Sequence, residues 1–176
     1  CPTSLRTESD SFYKMTTLSL RRVAMIVFVL ISIVGINFVA VRSWRVDKGT
    51  PSPDTMQGTA TDDDVRGHNG DVINGLQGND EIQGEQGNDL LNGSDGNDYL
   101  SGGGGFDTLD DGLGNDELNG DIDRDNLIGG TENDILYGAL GTDVLDGGPG
   151  DDRLFGRSGN DTLRGGPDGD YFRCGP

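Results

Sequence analysis

The chain has 176 residues, with 31 glycines, 32% hydrophobic residues and a formal net charge of −18. So low a hydrophobic fraction, read alone, favours disorder. Residues 1–48 hold seven Lys/Arg against three Asp/Glu, a net of +4, whereas residues 49–176 hold six against 28, a net of −22. The acidic part excludes nucleic acid and anionic lipid as its own partners and attracts cations.

Residues 1–22 are the N-terminal region. Met15 is the first methionine and the expected start, which places residues 1–14 upstream of it. Cys1 and Cys174 are the only cysteines, show no zinc-ligand spacing and read as unrelated thiols.

Residues 23–41, VAMIVFVLISIVGINFVAV, run for 19 positions without a charge. As a helix they would span roughly 28 Å, enough for a bilayer core. Arg21 and Arg22 precede the run, and Arg42, Trp44 and Arg45 follow it. An uncleaved signal-anchor is preferred to a cleaved signal peptide, because the run is long for a signal and NFVAVRS is a weak cleavage site. Residues 42–65 carry Pro, Gly, Ser and Thr without an apolar period and read as a linker.

From Arg66 onward the chain repeats every nine residues. Aspartate stands at Asp71, Asp80, Asp89, Asp98, Asp107, Asp116, Asp125, Asp134, Asp143, Asp152, Asp161 and Asp170. Two residues after each stands an apolar side chain, from Ile73 and Ile82 through Leu91, Leu100, Leu109, Leu118, Leu127, Leu136, Leu145, Leu154 and Leu163 to Phe172. Two residues before stand Gly78, Gly87, Gly96, Gly105, Gly114, Gly141, Gly150 and Gly159, with Asn69, Asp123, Glu132 and Asp168 as the departures. Five residues before stand Gly75, Gly84, Gly93, Gly102, Gly120, Gly129, Gly138, Gly147, Gly156 and Gly165, failing only at Arg66 and Asp111. The final CGP (174–176) starts a thirteenth unit, so the natural protein is expected to be longer.

Each unit pairs a glycine-rich loop, G-x-x-G-x-D, with a three-residue strand whose middle side chain points to one face. One leucine per strand cannot bury itself, so the units must stack. Two units make a coil of 18 residues, twelve units make six coils, and the body is about 29 Å long at ~4.8 Å per strand. Stacking also piles the aspartates into two columns that repel unless a cation lies between successive loops. Calcium suits a cage of carboxylate and carbonyl oxygens. Transition metals want the His or Cys that the repeats lack. Five gaps on each side give ten sites, of which six to eight are expected to be well formed, with weak ones around 120–134 where Asp123 and Glu132 replace glycine. Without calcium the segment is expected to be disordered.

The units resemble the RTX nonapeptide, GGxGxD-x-(apolar)-x, of hemolysin-type calcium-binding repeats. GGGGFDTLD (102–110) and GGPGDDRLF (147–155) match it in full. The resemblance implies an all-β, right-handed parallel β-roll over 66–176, preceded by one hydrophobic helix. It implies that glycine carbonyls of each loop and its position-six aspartate hold Ca2+. Asp80 and Asp98 would then serve one ion, and Asp89 and Asp107 another on the opposite side.

Other constellations are weaker. DIDRDNLIGGTE (121–132) imitates an EF-hand loop, but Asn126 stands where glycine is needed and the nine-residue phase runs through it. His68 is the only histidine and reads as solvent-exposed, so a two-histidine metalloprotease is excluded. No G-x-S-x-G or phosphate loop occurs. Tyr99, Tyr137, Phe155 and Tyr171 read as surface packing. The expectation is a non-enzymatic calcium-binding module, extracellular or tethered at the cell surface through 23–41, with calcium ions as its partners. Its alternative is an accessory part of a longer exported enzyme, toxin or adhesin.

Overall fold

A computed structural model describes residues 44–46 and 49–175. The hydrophobic segment 23–41, Met15 and Cys1 lie outside these residues. One sheet stacks β1 (Trp44–Val46), β3 (Asp63–Arg66), β5 (Glu81–Gln86), β7 (Tyr99–Gly104), β9 (Glu117–Ile122), β11 (Ile135–Gly141), β13 (Arg153–Gly159) and β15 (Tyr171–Arg173), in that order. The other stacks β2 (Thr55–Gln57), β4 (Val72–Gln77), β6 (Leu90–Asp95), β8 (Thr108–Leu113), β10 (Asn126–Thr131), β12 (Val144–Asp146) and β14 (Thr162–Arg164). The chain therefore alternates between two parallel sheets. From β4 onward each strand pairs with the strand 18 residues away, as Leu100 with Leu118 and Leu127 with Leu145.

The apolar position of each unit forms a single column. Ile73, Ile82, Leu91, Leu100, Leu109, Leu118, Leu127, Leu136, Leu145 and Leu154 are fully buried or nearly so, with Val65 at one end. Burying each leucine is worth about 1.5–3 kcal/mol. Stacking supplies what a lone unit lacks. Phe172, in phase at the far end, is 47% exposed, since β15 is the edge strand of its sheet among the described residues.

Most strands are longer than the expected three residues. β4 to β10 run for six, extending through the first three loop positions. The register explains this: Ser94 pairs with Gly112 and Asp95 with Leu113, so ladder bonds continue past the apolar residue. In this longer strand the first loop position faces inward again. Gly120 in β9 is buried, as is Leu118 two residues earlier.

The stretch 42–65, expected as linker, carries β1, β2 and most of β3, and the solenoid has about seven turns instead of six. GTPSPD (49–54) and GTATDD (58–63) are two further units, each with glycine first and aspartate sixth, followed by Met56 and Val65. Their phase breaks because Asp63 and Asp71 are eight residues apart. The pairing shows the same missing residue, with Met56 opposite Ile73 and Val65 opposite Ile82, each 17 residues on.

On the outer face of the first sheet Tyr137 stacks on Phe155 at 5.1 Å between ring centroids, and Phe155 meets Tyr171 at 5.8 Å. His68 is partly exposed, with Nδ1 3.6 Å from Glu85 Oε2. Residues 121–132 end β9 and form β10, with no flanking helix, so the EF-hand reading fails there.

Candidate metal centre

The position-six aspartates join into two ladders. Each uses Oδ1 to accept the backbone N–H of the aspartate one coil earlier. Asp80 N donates to Asp98 Oδ1 at 2.7 Å, Asp98 N to Asp116, Asp116 N to Asp134 and Asp134 N to Asp152. On the other side Asp89 N donates to Asp107, Asp107 N to Asp125, Asp125 N to Asp143 and Asp143 N to Asp161. The step is 18 residues because one coil separates equivalent loops. Asp54 N begins the second ladder by donating to Asp71, which donates to Asp89; Asp63 N begins the first by donating to Asp80, and Asp152 N donates to Asp170 at its far end.

In nine of these carboxylates the second oxygen has no protein partner. Among the described residues, Oδ2 of Asp80, Asp89, Asp98, Asp107, Asp116, Asp125, Asp134, Asp143 and Asp152 is buried and accepts no hydrogen bond. A buried acceptor left so costs about 1–3 kcal/mol, more when charged. Burial pushes Asp80, Asp89, Asp98, Asp116 and Asp143 up to about 6, Asp134 to about 7 and Asp125 to about 8. The backbone N–H bond opposes this shift in each, and neighbouring carboxylates add to it.

Glycine opens the space around each free oxygen. A Cβ built on Gly84 would lie 2.6 Å from Asp89 Oδ2 and 2.6 Å from the carbonyl oxygen of Gly102. On Gly129 it would lie 2.6 Å from Asp134 Oδ2 and 2.8 Å from the Gly147 carbonyl oxygen. The first-position glycines Gly75, Gly93, Gly102, Gly120, Gly138, Gly147 and Gly156 likewise face the aspartate of their own loop. A carboxylate and a carbonyl oxygen converge there on a site that only a residue without a side chain leaves open. This donor set, all hard oxygen, fits calcium.

The fourth-position glycines have a different task. At Gly105 φ is +136°, and a Cβ would overlap the carbonyl oxygen of Gly87, one coil earlier. Gly96, Gly114, Gly141, Gly150 and Gly159 also sit against the carbonyl one coil earlier, and Gly78 against backbone at Thr61 and Asp62. Asp123, Glu132 and Asp168 adopt the left-handed conformation at the same position, with φ of 80°, 76° and 88°. The ladder runs through 120–134 without a break. The second loop position is left-handed as well, including Leu76, Glu85, Ser94, Asp121, Ala139 and Arg157.

Three features escape a strict reading of the consensus. Asn79, Asn97, Asn115 and Asn133, at position five, form an outer ladder in which each Oδ1 accepts the amide one coil later, as at Asn97 N to Asn79 Oδ1, 2.8 Å. Their recurrence every 18 residues was the available signal. In the N-terminal loops Oδ2 is taken by the loop itself: Oδ2 of Asp54, Asp63 and Asp71 accepts the amides of Thr50, Thr59 and His68, while Oδ1 of Asp63 is the buried oxygen left without a partner. Asp71 has both oxygens occupied, since Asp54 N donates to its Oδ1. Finally, Asp111 stands at a first position, wholly buried, with neither carboxylate oxygen hydrogen-bonded. Burial, then Asp116, Asp98 and Asp134, push it up to about 10.

Segments from 48–71 to 137–172, six in all and overlapping, match the sequence model of the RTX calcium-binding nonapeptide repeat (4 copies). No curated protein matches the chain.

Proposed function

The chain belongs to the RTX calcium-binding nonapeptide repeat family, and from that premise we propose that its solenoid is a module that folds by loading calcium between successive loops. The observation that carries this is the set of nine buried Oδ2 atoms with no partner, in two columns. Each lies in a loop that has a further loop stacked above it. The gaps from Asp80 to Asp170 number five, and those from Asp89 to Asp161 number four, so nine ions are proposed. In each gap the two aspartates and the carbonyl oxygens of the glycine-rich loops, such as Gly102, Gly138 and Gly147, hold the ion. Asp71 holds none, because the backbone already takes both of its oxygens.

A bound divalent cation supplies positive charge to a buried carboxylate column. The chain's own part is to remove every side chain from the cradle and to hold Oδ1 on the backbone, so that Oδ2 stays aimed inward. Without the cation those columns would place like charges in a low-dielectric interior, where repulsion is strongest. Folding and binding are therefore one event. Such a device works as a compartment switch: coil where calcium is scarce and roll where it is plentiful. The charge-free run 23–41 supports export or tethering of the module at the cell surface.

The test is far-ultraviolet circular dichroism of the chain titrated with calcium and, separately, with magnesium. Coil turning to β-structure with calcium alone supports the proposal. A chain equally folded without metal, or one that ignores millimolar calcium, overturns it.

A further inference from the structure

Between Gly75 and Gly165 Asp111 is the single residue other than glycine at a first loop position. Its side chain is fully buried, and neither of its carboxylate oxygens has a hydrogen-bond partner. It turns back toward the loop 93–98. A Cβ built on Gly93 would lie 2.5 Å from Asp111 Oδ1, 2.5 Å from Asp98 Oδ2 and 3.0 Å from the Asp111 carbonyl oxygen. At Gly84 the matching cradle has one carboxylate and one carbonyl oxygen. Here it has gained a second carboxylate. Asp98, Asp111 and Asp116 each bring a carboxylate oxygen within 4.8 Å of the others, and all three residues are buried.

We propose that Asp98, Asp111 and Asp116 form a distinct three-carboxylate cation site between the loops 93–98 and 111–116, the tightest in the roll and the most selective for high charge density. The inference rests on the calcium-loaded roll proposed above. In the other inner gaps each aspartate is shared by the ions above and below it, so an ion sees about one full negative charge. Asp111 adds another to this gap alone. Affinity in oxygen cages rises with the number of charged ligands. Because attraction scales with the product of the charges, a trivalent lanthanide gains more than calcium from the added carboxylate. The site is the second of the five gaps in its column, inside the stack, where the first ion bound would draw two coils together and start the stack.

The experiment is a calorimetric titration of the metal-free full chain with Ca2+, paired with Tb3+ luminescence, on the wild type, Asp111→Gly and Asp111→Asn. Asp111→Gly restores the residue used at ten other first positions, and Asp111→Asn keeps the shape while removing the charge. The wild type is expected to bind one ion about tenfold more tightly than the rest. Both variants are expected to lose that class, to keep the remaining ions and to show a weaker preference for Tb3+ over Ca2+. If Asp111→Gly keeps the tight class, or binds an added or tighter ion, Asp111 is a plug and the proposal is overturned. A wild type that takes up no calcium overturns the proposed function itself and this site with it.

Discussion

The amide of Asp80 donates to Oδ1 of Asp98 at 2.7 Å, across one full coil of the chain. This bond fixes one oxygen of Asp98 on the backbone and leaves the other, Oδ2, buried without a partner. The same carboxylate thus sets the stacking distance and faces the ion cradle. Specificity for the cation is inseparable from the fold, because the group that would bind it also spaces the coils.

The contrast between Asp89 and Asp71 gives the first prediction. Asp89 Oδ2 is free, whereas both oxygens of Asp71 accept backbone amides. Asp89→Asn is expected to lower the calcium stoichiometry by one ion and to weaken calcium-induced folding. Asp71→Asn is expected to leave the stoichiometry unchanged and to reduce stability by about 1 kcal/mol, the worth of one hydrogen bond. Equilibrium dialysis with calcium decides it; equal ion loss in the two variants would count against the assignment.

Acid should substitute in part for calcium. The ladder aspartates have folded values of about 6 at Asp80, Asp98 and Asp116, about 7 at Asp134 and about 8 at Asp125, against an ordinary 3.8, with burial as the leading cause. The folded state then binds more protons than the unfolded one between about pH 4 and 8, so stability falls as pH rises through that window. Metal-free chain in a chelator is expected to hold more β-structure at pH 5 than at pH 8 by circular dichroism. With calcium the order should reverse, since ions must displace those protons. A metal-free chain better ordered at pH 8 contradicts the buried, partnerless carboxylates.

The core column predicts an uneven response to truncation. Leu118 is fully buried and paired in register with Leu100 and Leu136, while Phe172 is 47% exposed at the edge. Leu118→Ala is expected to cost about 2–5 kcal/mol, and Phe172→Ala less than about 1.5 kcal/mol. Urea unfolding of the calcium-loaded chain measures both. Similar losses would mean that further chain covers Phe172.

Periodicity made the repeat body legible because each element of the fold is a fixed offset from an aspartate: Leu118 two after Asp116 points inward, and Gly114 two before it turns the loop. The N-terminal turn was hidden by one missing residue between Asp63 and Asp71, which shifts Asp54 and Asp63 out of a nine-residue count although GTPSPD and GTATDD keep the pattern. Strand length was misjudged at residues such as Gly120, because a glycine-rich stretch gives no sign that ladder bonds from neighbouring coils will hold it extended. Asp111 was visible as a departure from glycine. Its consequence was not, since only the stacked structure shows that its carboxylate reaches the loop below.

The neighbouring glycines Gly104 and Gly105 test whether the fourth position or glycine content as such matters. A Cβ on Gly104 would meet nothing within 4 Å, and its φ is not left-handed. At Gly105 φ is +136° and the added carbon would overlap the Gly87 carbonyl oxygen. Gly104→Ala is therefore expected to be neutral or to stabilise by about 0.5 kcal/mol through the unfolded chain. Gly105→Ala is expected to cost roughly 2–3 kcal/mol, because the backbone must leave its torsion or push the coil below. Moving that coil displaces Asp89 and its partner Asp107, so the variant should also need more calcium to fold. Thermal melts and calcium midpoints of the two variants compare them directly. Equal tolerance at both positions would mean that the loops are looser than a stack with Oδ1 bonded every 18 residues permits.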